Sequence, residues 1–229
     1  MLQQTQVERV VPKFLAFLER YPTEYELASA HQKDVLIMWQ GLGYNRRARF
    51  LHQAAQCVAT QKKFPETREA LLLLPGVGPY TAGAIRAFAY NAPEIFLETN
   101  IRAVLIHHFF PRKRTVSDTA LLRILEQCMK YVHEPRTWYA ALMDYGSHLK
   151  RTQGNATKRS ATYAKQSTFK GSLREVRGSI IRLLSRSSMT ERALLKKHPL
   201  ERHAQVHQAL SDLSDEALIL KKGDEYSLL

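Results

Sequence analysis

The chain has 229 residues, with 34 Lys and Arg against 21 Asp and Glu, and a formal net charge of +13 with its histidines neutral. That length buries a sizeable core and suits two domains, while the positive excess suits a polyanionic partner, nucleic acid before membrane. No apolar run is long enough for a helical membrane span, and MLQQTQVERV lacks the charged-then-apolar pattern of a secretory leader. Two cysteines, Cys57 and Cys128, fall inside helical patterns and read as apolar residues in a reducing, cytoplasmic compartment.

The periodicity predicts one helix over residues 1–21, with Val7, Val10, Phe14, Leu18 and Tyr21 on its inner face and Pro12 bending it or marking its first turn. Thr23 and Glu26 have capping-box spacing for a short second helix. A third helix covers 32–40 and stops at Gly41. Asn45 caps a fourth, whose inner face is Leu51, Ala55 and Val58. Phe64-Pro65 breaks it, and residues 67–73 lead into a glycine hairpin.

In that hairpin, LPGVGPYTAGAI, the residues Pro75, Gly76 and Gly78 predict a turn too tight for side chains, and Pro79 suits the first position of the next helix. Backbone N–H groups at such a helix start make a seat for phosphate. A G-x-G turn by itself marks only a close-packed helix pair. Further on, Ile101–Phe110 predict an apolar helix, Ser117 caps another with Leu121, Leu125, Cys128 and Val132 inward, and Pro135 opens a helix through Leu149. Residues 150–171 hold no Asp or Glu and read as a basic linker. Three more helices, over 173–184, 190–197 and 201–213, precede strands flanking Lys222-Gly223-Asp224. This predicts a winged helix-turn-helix domain over 172–229. Its third helix is nearly neutral, so a packing or partner-binding role suits it as well as base reading.

Six blocks in order carry a resemblance: MLQQTQV (1–7), WQGLGYNRRAR (39–49), FPET (64–67), LPGVGPYTAGAI (74–85), ETNIRAV (98–104) and ALMDYG (141–146). Through about residue 150 the chain resembles the A/G-specific adenine DNA glycosylases of the helix-hairpin-helix superfamily. The resemblance implies a mainly α, two-lobed core over 1–149 that acts, as a monomer, on double-stranded DNA holding a mismatch or damaged base. It implies monofunctional removal of adenine opposite guanine or oxidised guanine, in the cytoplasm on the nucleoid. A thymine or uracil mismatch glycosylase, or a catalytically inactive lesion-binding protein, are the alternatives.

The resemblance also assigns roles. Glu98 stands where the family places a sugar-facing Asp, with Asn100 two residues on; a helix-capping role for Glu98 is set aside because Glu caps poorly. Tyr80 stands where bifunctional relatives carry a Schiff-base lysine, and it has no amine to form one. Gln3, Gln4 and Tyr44 match residues that contact or fill the distorted duplex. Arg46 and Arg47 are expected to neutralise phosphate, and Leu74, Gly76, Val77, Gly78 and Thr81 to form the DNA-contacting hairpin. Family members place the proton-donating Glu two residues ahead of the MLQQTQV block, so the chain from Met1 is expected to be catalytically crippled. The four-cysteine iron–sulfur motif expected after ALMDYG is replaced by Ser147-His-Leu-Lys-Arg, so no cluster and no metal site are expected. No match to the family's Nudix-like guanine-reading domain is found.

Overall fold

The computed structural model describes residues 1–165 and 167–229, and the chain forms two compact units. The first joins residues 1–64 to residues 167–229; the second is residues 65–166.

In the first unit, α1 (Val7–Arg20), α2 (Glu24–Ser29), α3 (Gln32–Trp39) and α4 (Arg46–Gln61) follow in succession. The Thr23 and Glu26 side chains form the reciprocal cap expected of them. Asn45 makes no side-chain cap on α4, because its backbone is already helical there. α1 begins at Val7, not at residue 1, and keeps Pro12 inside it. Its buried stripe is Val10, Phe17 and Tyr21, while Val7, Phe14 and Leu18 are exposed. The expected inner face was therefore rotated. α1 is apolar around so much of its circumference that periodicity alone cannot choose the buried side. On α4 the buried residues are Ala48, His52, Ala55 and Val58, and Leu51 is exposed.

The rest of this unit is α10 (Leu173–Leu184), β1 (Met189–Thr190), α11 (Glu191–Lys196), α12 (His203–Asp215), β2 (Ile219–Lys222) and β3 (Glu225–Leu228). The strands form an antiparallel sheet in the order β1-β3-β2, with Met189 opposite Tyr226 and Ile219 opposite Leu228. Three helices and a terminal hairpin were expected; the two-residue β1 is too short to register as alternation. These elements share one apolar cluster with α1–α4, in which Leu36 and Trp39 join Val176, Ile180, Leu184 and Leu213. Gln32 Nε2 donates to Ala217 O at 2.8 Å and Arg49 Nη1 to Glu216 O at 2.7 Å. Residues 172–229 are thus built into the N-terminal half of the chain and do not stand apart as the sequence division implied.

The second unit holds α5 (Arg68–Leu72), α6 (Pro79–Tyr90), α7 (Thr99–Phe109), α8 (Asp118–Met129) and α9 (Pro135–Thr152). α7 is its central helix: Ile101, Ala103, Val104, Leu105 and Ile106 are all buried, and α9 lies along it. Each large apolar side chain buried this way contributes about 1.5–3 kcal/mol. Phe96 centres an aromatic group with Tyr80, Phe88 and Tyr139, the last at a ring separation of 4.2 Å. The Tyr139 hydroxyl donates to Glu94 O at 2.6 Å.

The expected linker over 150–171 starts too early. α9 runs on to Thr152, Asn155 caps a 3-10 turn over Ala156–Arg159, and Val116 N–H donates to Arg159 O at 2.8 Å. The Arg159 guanidinium donates to the carbonyls of Ile106, Phe110, Pro111 and Lys113. Charge composition read these basic residues as solvated. One of them, Arg159, instead satisfies backbone oxygens at the end of α7 and in the loop beyond it.

Candidate functional site

In the second unit, α5 and α6 pack as a hairpin. Thr67 caps α5, with its hydroxyl accepting from Ala70 N–H at 3.2 Å. Leu74 N–H donates to Leu71 O and Val77 N–H to Leu74 O, both at 3.1 Å, closing the turn. Gly76 takes φ +76°, where a Cβ is strained. Gly78 does not: its φ is −96°, and a Cβ there would meet nothing within 4 Å. Its expected steric necessity is therefore absent, and the backbone there faces open space. Gly78 serves as N-cap of α6 without a side-chain cap, and Pro79 takes the first helical position, as expected. The N–H groups of Gly76, Gly78 and Tyr80 have no protein partner among the described residues.

Leu74 is 5% exposed and belongs to the interior; its exposed neighbour is Leu73, at 84%. The Leu74 side chain thus packs inside the unit, and Leu73 is the apolar side chain the hairpin presents outward. Val77 is half-buried with its N–H engaged, so it offers no free donor, and Thr81 sits half-buried in the first turn of α6. Arg68 and Arg86 both pair with Glu94, and Arg86 Nη1 donates to Glu66 O at 2.5 Å, which fixes the hairpin against the segment leading to Glu98.

Glu98 is the N-cap of α7, and its Oε2 accepts from Asn100 N–H. The capping role set aside on propensity grounds is present. Its long side chain folds back to reach a first-turn donor, and a carboxylate at a helix start is favoured by the helix dipole. Glu98 as a residue is only partly buried. Tyr80 is half-buried, edge-on to Phe96 at 5.8 Å. Burial first, and the Glu98 charge second, push its phenol above the ordinary tyrosine range, which keeps it protonated at neutral pH.

A residue that sequence reasoning missed completes this cluster. Lys150 Nζ donates to Asn100 Oδ1 at 2.7 Å. Burial holds its ammonium below the ordinary lysine value, against the opposing pull of Glu98. The signal was present: Lys150 lies four residues after Gly146 and so on the same face of α9. A Cβ on Gly146 would stand 2.2 Å from Asn100 O. The two helices therefore touch backbone to backbone at Asn100, the residue whose N–H the Glu98 carboxylate caps.

In the first unit, two loops meet. Arg47 Nη1 donates to Met1 O at 3.1 Å, and Nη2 to Thr5 Oγ1, Leu42 O and Gly43 O, each at 3.2 Å. Its guanidinium also lies over the Trp39 and Tyr44 rings at 5.3 and 5.7 Å. Arg47 is consequently a structural tie between the loops, a role its charge did not announce; Arg46 is exposed on α4. The tie places Gln3 and Gln4 on the loop joined to that of Tyr44. All three are exposed, and Gln4 and Tyr44 hold φ near +59° and +50°. Arg174, from the start of α10, donates to the Tyr44 hydroxyl at 3.2 Å and to Ser167 O at 2.7 Å.

His107 and His108 contact each other edge-on, and His108 bonds the Tyr145 hydroxyl. Among the described residues no group of three metal-ligating side chains gathers. The donor set does not fit a four-cysteine cluster: the sequence has only Cys57, on α4, and Cys128, on α8, in different units.

A short helix–turn–helix with a free helix start, followed at once by a carboxylate capping the next helix, defines a helix-hairpin-helix protein. The chain belongs to the HhH-GPD superfamily of base excision DNA repair proteins, whose family model matches residues 1–130. It is 33% identical over 248 aligned positions to an adenine DNA glycosylase of Mycolicibacterium smegmatis, a match covering 98% of this chain and 83% of that protein. An adenine DNA glycosylase of Buchnera aphidicola is 32% identical over 64% of this chain, and the human one 42% identical over 46%. These matches span 42% and 20% of those two relatives' own length. Two solved structures share the fold. One is a thermostable thymine-DNA glycosylase, with TM-score 0.54 and 21% identity over 64% of this chain and 69% of its own. The other is a trapped endonuclease III–DNA covalent intermediate, with TM-score 0.51 and 20% identity over 66% and 69%.

Proposed function

We infer that this chain is a DNA N-glycosylase of base excision repair that releases adenine mispaired with guanine or oxidised guanine. The observation that carries the reading is Glu98: a carboxylate fixed at a helix start directly beyond the hairpin, in a chain whose relatives are adenine DNA glycosylases.

Hydrolysis of the N-glycosidic bond develops positive charge on the deoxyribose as the base leaves. A fixed carboxylate facing that charge lowers the barrier without reorganising; at about 4 Å and an effective dielectric near 20, the attraction is on the order of 4 kcal/mol. Glu98 supplies this group, held by Asn100 N–H. The base must depart with a proton, and the resemblance assigns that donor to a glutamate two residues ahead of the MLQQTQV block. The Tyr80 phenol, kept protonated by burial and by Glu98, has a proton to donate and no amine to form an imine, which supports hydrolysis without strand cleavage.

The nucleotide must leave the stack for this chemistry. The free N–H groups at the start of α6, with the open approach at Gly78, suit a DNA phosphate and hold the backbone while the base is out. Gln3, Gln4 and Tyr44 present amides and a ring on one edge of the first unit, suited to the disrupted pair. With two cysteines only, the protein is expected to be colourless and free of iron, and to act as a monomer.

The test is release of free adenine from a duplex with adenine opposite oxidised guanine. It uses the chain as given and a form carrying a glutamate two residues ahead of Met1. The reading expects release from the glutamate-carrying form, with strand breaks only after alkali. Release of thymine from a thymine–guanine duplex in its place, or lesion binding without release by either form, contradicts it.

A further inference from the structure

We propose that Lys150 is a positioning residue of this site, fixing the Asn100 amide so that its NH2 end is presented to the substrate beside Glu98. The inference rests on the functional reading above and adds a residue to it.

The geometry runs through three groups. Lys150 Nζ donates to Asn100 Oδ1 at 2.7 Å, and Asn100 N–H in turn donates to Glu98 Oε2. An asparagine amide has an acceptor end and a donor end, usually hard to tell apart. An ammonium donates only, so the end that meets Lys150 is the oxygen. Nδ2 therefore faces the other way, and it donates to no protein acceptor among the described residues. A pair of N–H donors beside the carboxylate suits an oxygen of the bound sugar or phosphate, or a water held for attack. Without Lys150 the amide is free to turn over and offer a carbonyl instead, which repels those same oxygens.

The approach that makes this possible is built into the backbone. Gly146 sits against Asn100 so closely that a Cβ would overlap its carbonyl, and Lys150 is the next residue of that α9 face. Removing the Gly146 contact would carry the ammonium out of reach. The cation also costs desolvation, seen in the depression of its pKa. A half-buried lysine held for packing alone is better replaced by an apolar chain of similar length. Lys150 keeps its charge and spends it on one amide oxygen.

The experiment compares wild type, Lys150→Met, Lys150→Arg, Asn100→Ala and Lys150→Met/Asn100→Ala in the full chain. Two readouts are taken: thermal stability, and affinity for a duplex with a tetrahydrofuran abasic site against undamaged duplex. Lys150→Met is expected to lower abasic-site affinity about tenfold, leave undamaged-duplex affinity and melting temperature near wild type, and add nothing to Asn100→Ala. Lys150→Arg, still a donor, is expected to recover most of the loss. Wild-type selectivity in Lys150→Met, or an effect that adds in full to that of Asn100→Ala, overturns the proposal. So does borohydride trapping of a natural abasic site that disappears in Lys150→Met, because it would make the amine a nucleophile. A wild-type chain that binds the abasic duplex no better than undamaged DNA contradicts the glycosylase reading itself, and this inference falls with it. Selectivity that wild type shows and Lys150→Met retains contradicts the Lys150 proposal alone.

Discussion

Around Tyr44, polar side chains hold two loops: the Arg47 guanidinium makes most of the bonds, and Thr5 Oγ1 adds one to Leu42 O at 2.9 Å. Arg47 gathers Met1 O, Thr5 Oγ1, Leu42 O and Gly43 O, and the exposed Gln4 and Tyr44 keep left-handed backbones beside it. Around Glu98, the holding is done by helices in backbone contact, with Gly146 of α9 against Asn100 at the start of α7. The first arrangement relies on side-chain hydrogen bonds to loop carbonyls and tolerates changes in loop shape. The second relies on the absence of a side chain and tolerates almost nothing. A recognition edge must adapt to a distorted duplex, whereas a carboxylate facing developing charge must not move.

That contrast is broken most forcefully at Gly146. Gly146→Ala forces a methyl into the Asn100 carbonyl, so α9 and α7 must separate. The expected cost is about 3 kcal/mol, or roughly 6–12 °C in melting temperature. Adenine release should fall further than stability alone explains, because Glu98 and Lys150 lose their common anchor. Gly78→Ala provides the counterpart: with extended backbone and open space, it should change stability by no more than about 0.5 kcal/mol. DNA affinity should nonetheless fall, since the methyl stands where the phosphate approaches. Equal melting temperatures for the two variants would remove the distinction.

Arg47→Met sharpens the other side of the comparison. It keeps an apolar chain beside Trp39 and removes the Arg47 donors, leaving Leu42 O with Thr5 Oγ1 and Gly43 O with Trp39 Nε1. The expected loss is about 2–3 kcal/mol, smaller than at Gly146 because these loops can still reach water. Its functional mark should be reduced discrimination of mispaired from matched duplex, with a salt dependence of undamaged-DNA binding like that of wild type. Arg47 makes no phosphate contact in this account. A shallower salt slope in Arg47→Met would return it to the role first expected from its charge.

The helices and the hairpin were legible because their causes are local: the Thr23–Glu26 box, Pro79 at the first position of α6, and Ser117 as a cap. What escaped depended on neighbours distant in sequence. Arg47 and Arg159 read as phosphate-facing or solvated cations, yet their partners are carbonyls of other loops. Leu74 and Leu73 are adjacent and equally apolar, and only packing decides that the first is buried and the second exposed. Residues 172–229 read as a detached module because amphipathic helices announce a buried face without naming what covers it. Glu98 was judged on capping statistics that describe short side chains. Asn100 N–H is within reach of the longer one once the chain enters α7 from an extended residue. Lys150 carried only the helical spacing from Gly146 as a signal, and its meaning depends on how closely Gly146 lets α9 approach.

The central claim is that the Glu98 carboxylate acts on the sugar while also capping α7. Glu98→Gln separates these roles, because the amide oxygen can still accept from Asn100 N–H but carries no charge. The decisive measurement is single-turnover release of adenine by the form carrying the added glutamate, compared with its Glu98→Gln variant on the same adenine–oxidised guanine duplex. Affinity for that duplex and melting temperature are measured alongside. The account predicts a loss of at least about 10²–10³-fold in the rate constant, with affinity and melting temperature close to the parent. A Glu98→Gln variant that releases adenine at the parent rate, or that loses activity only in proportion to lost folding, would reduce Glu98 to a helix cap and contradict the account.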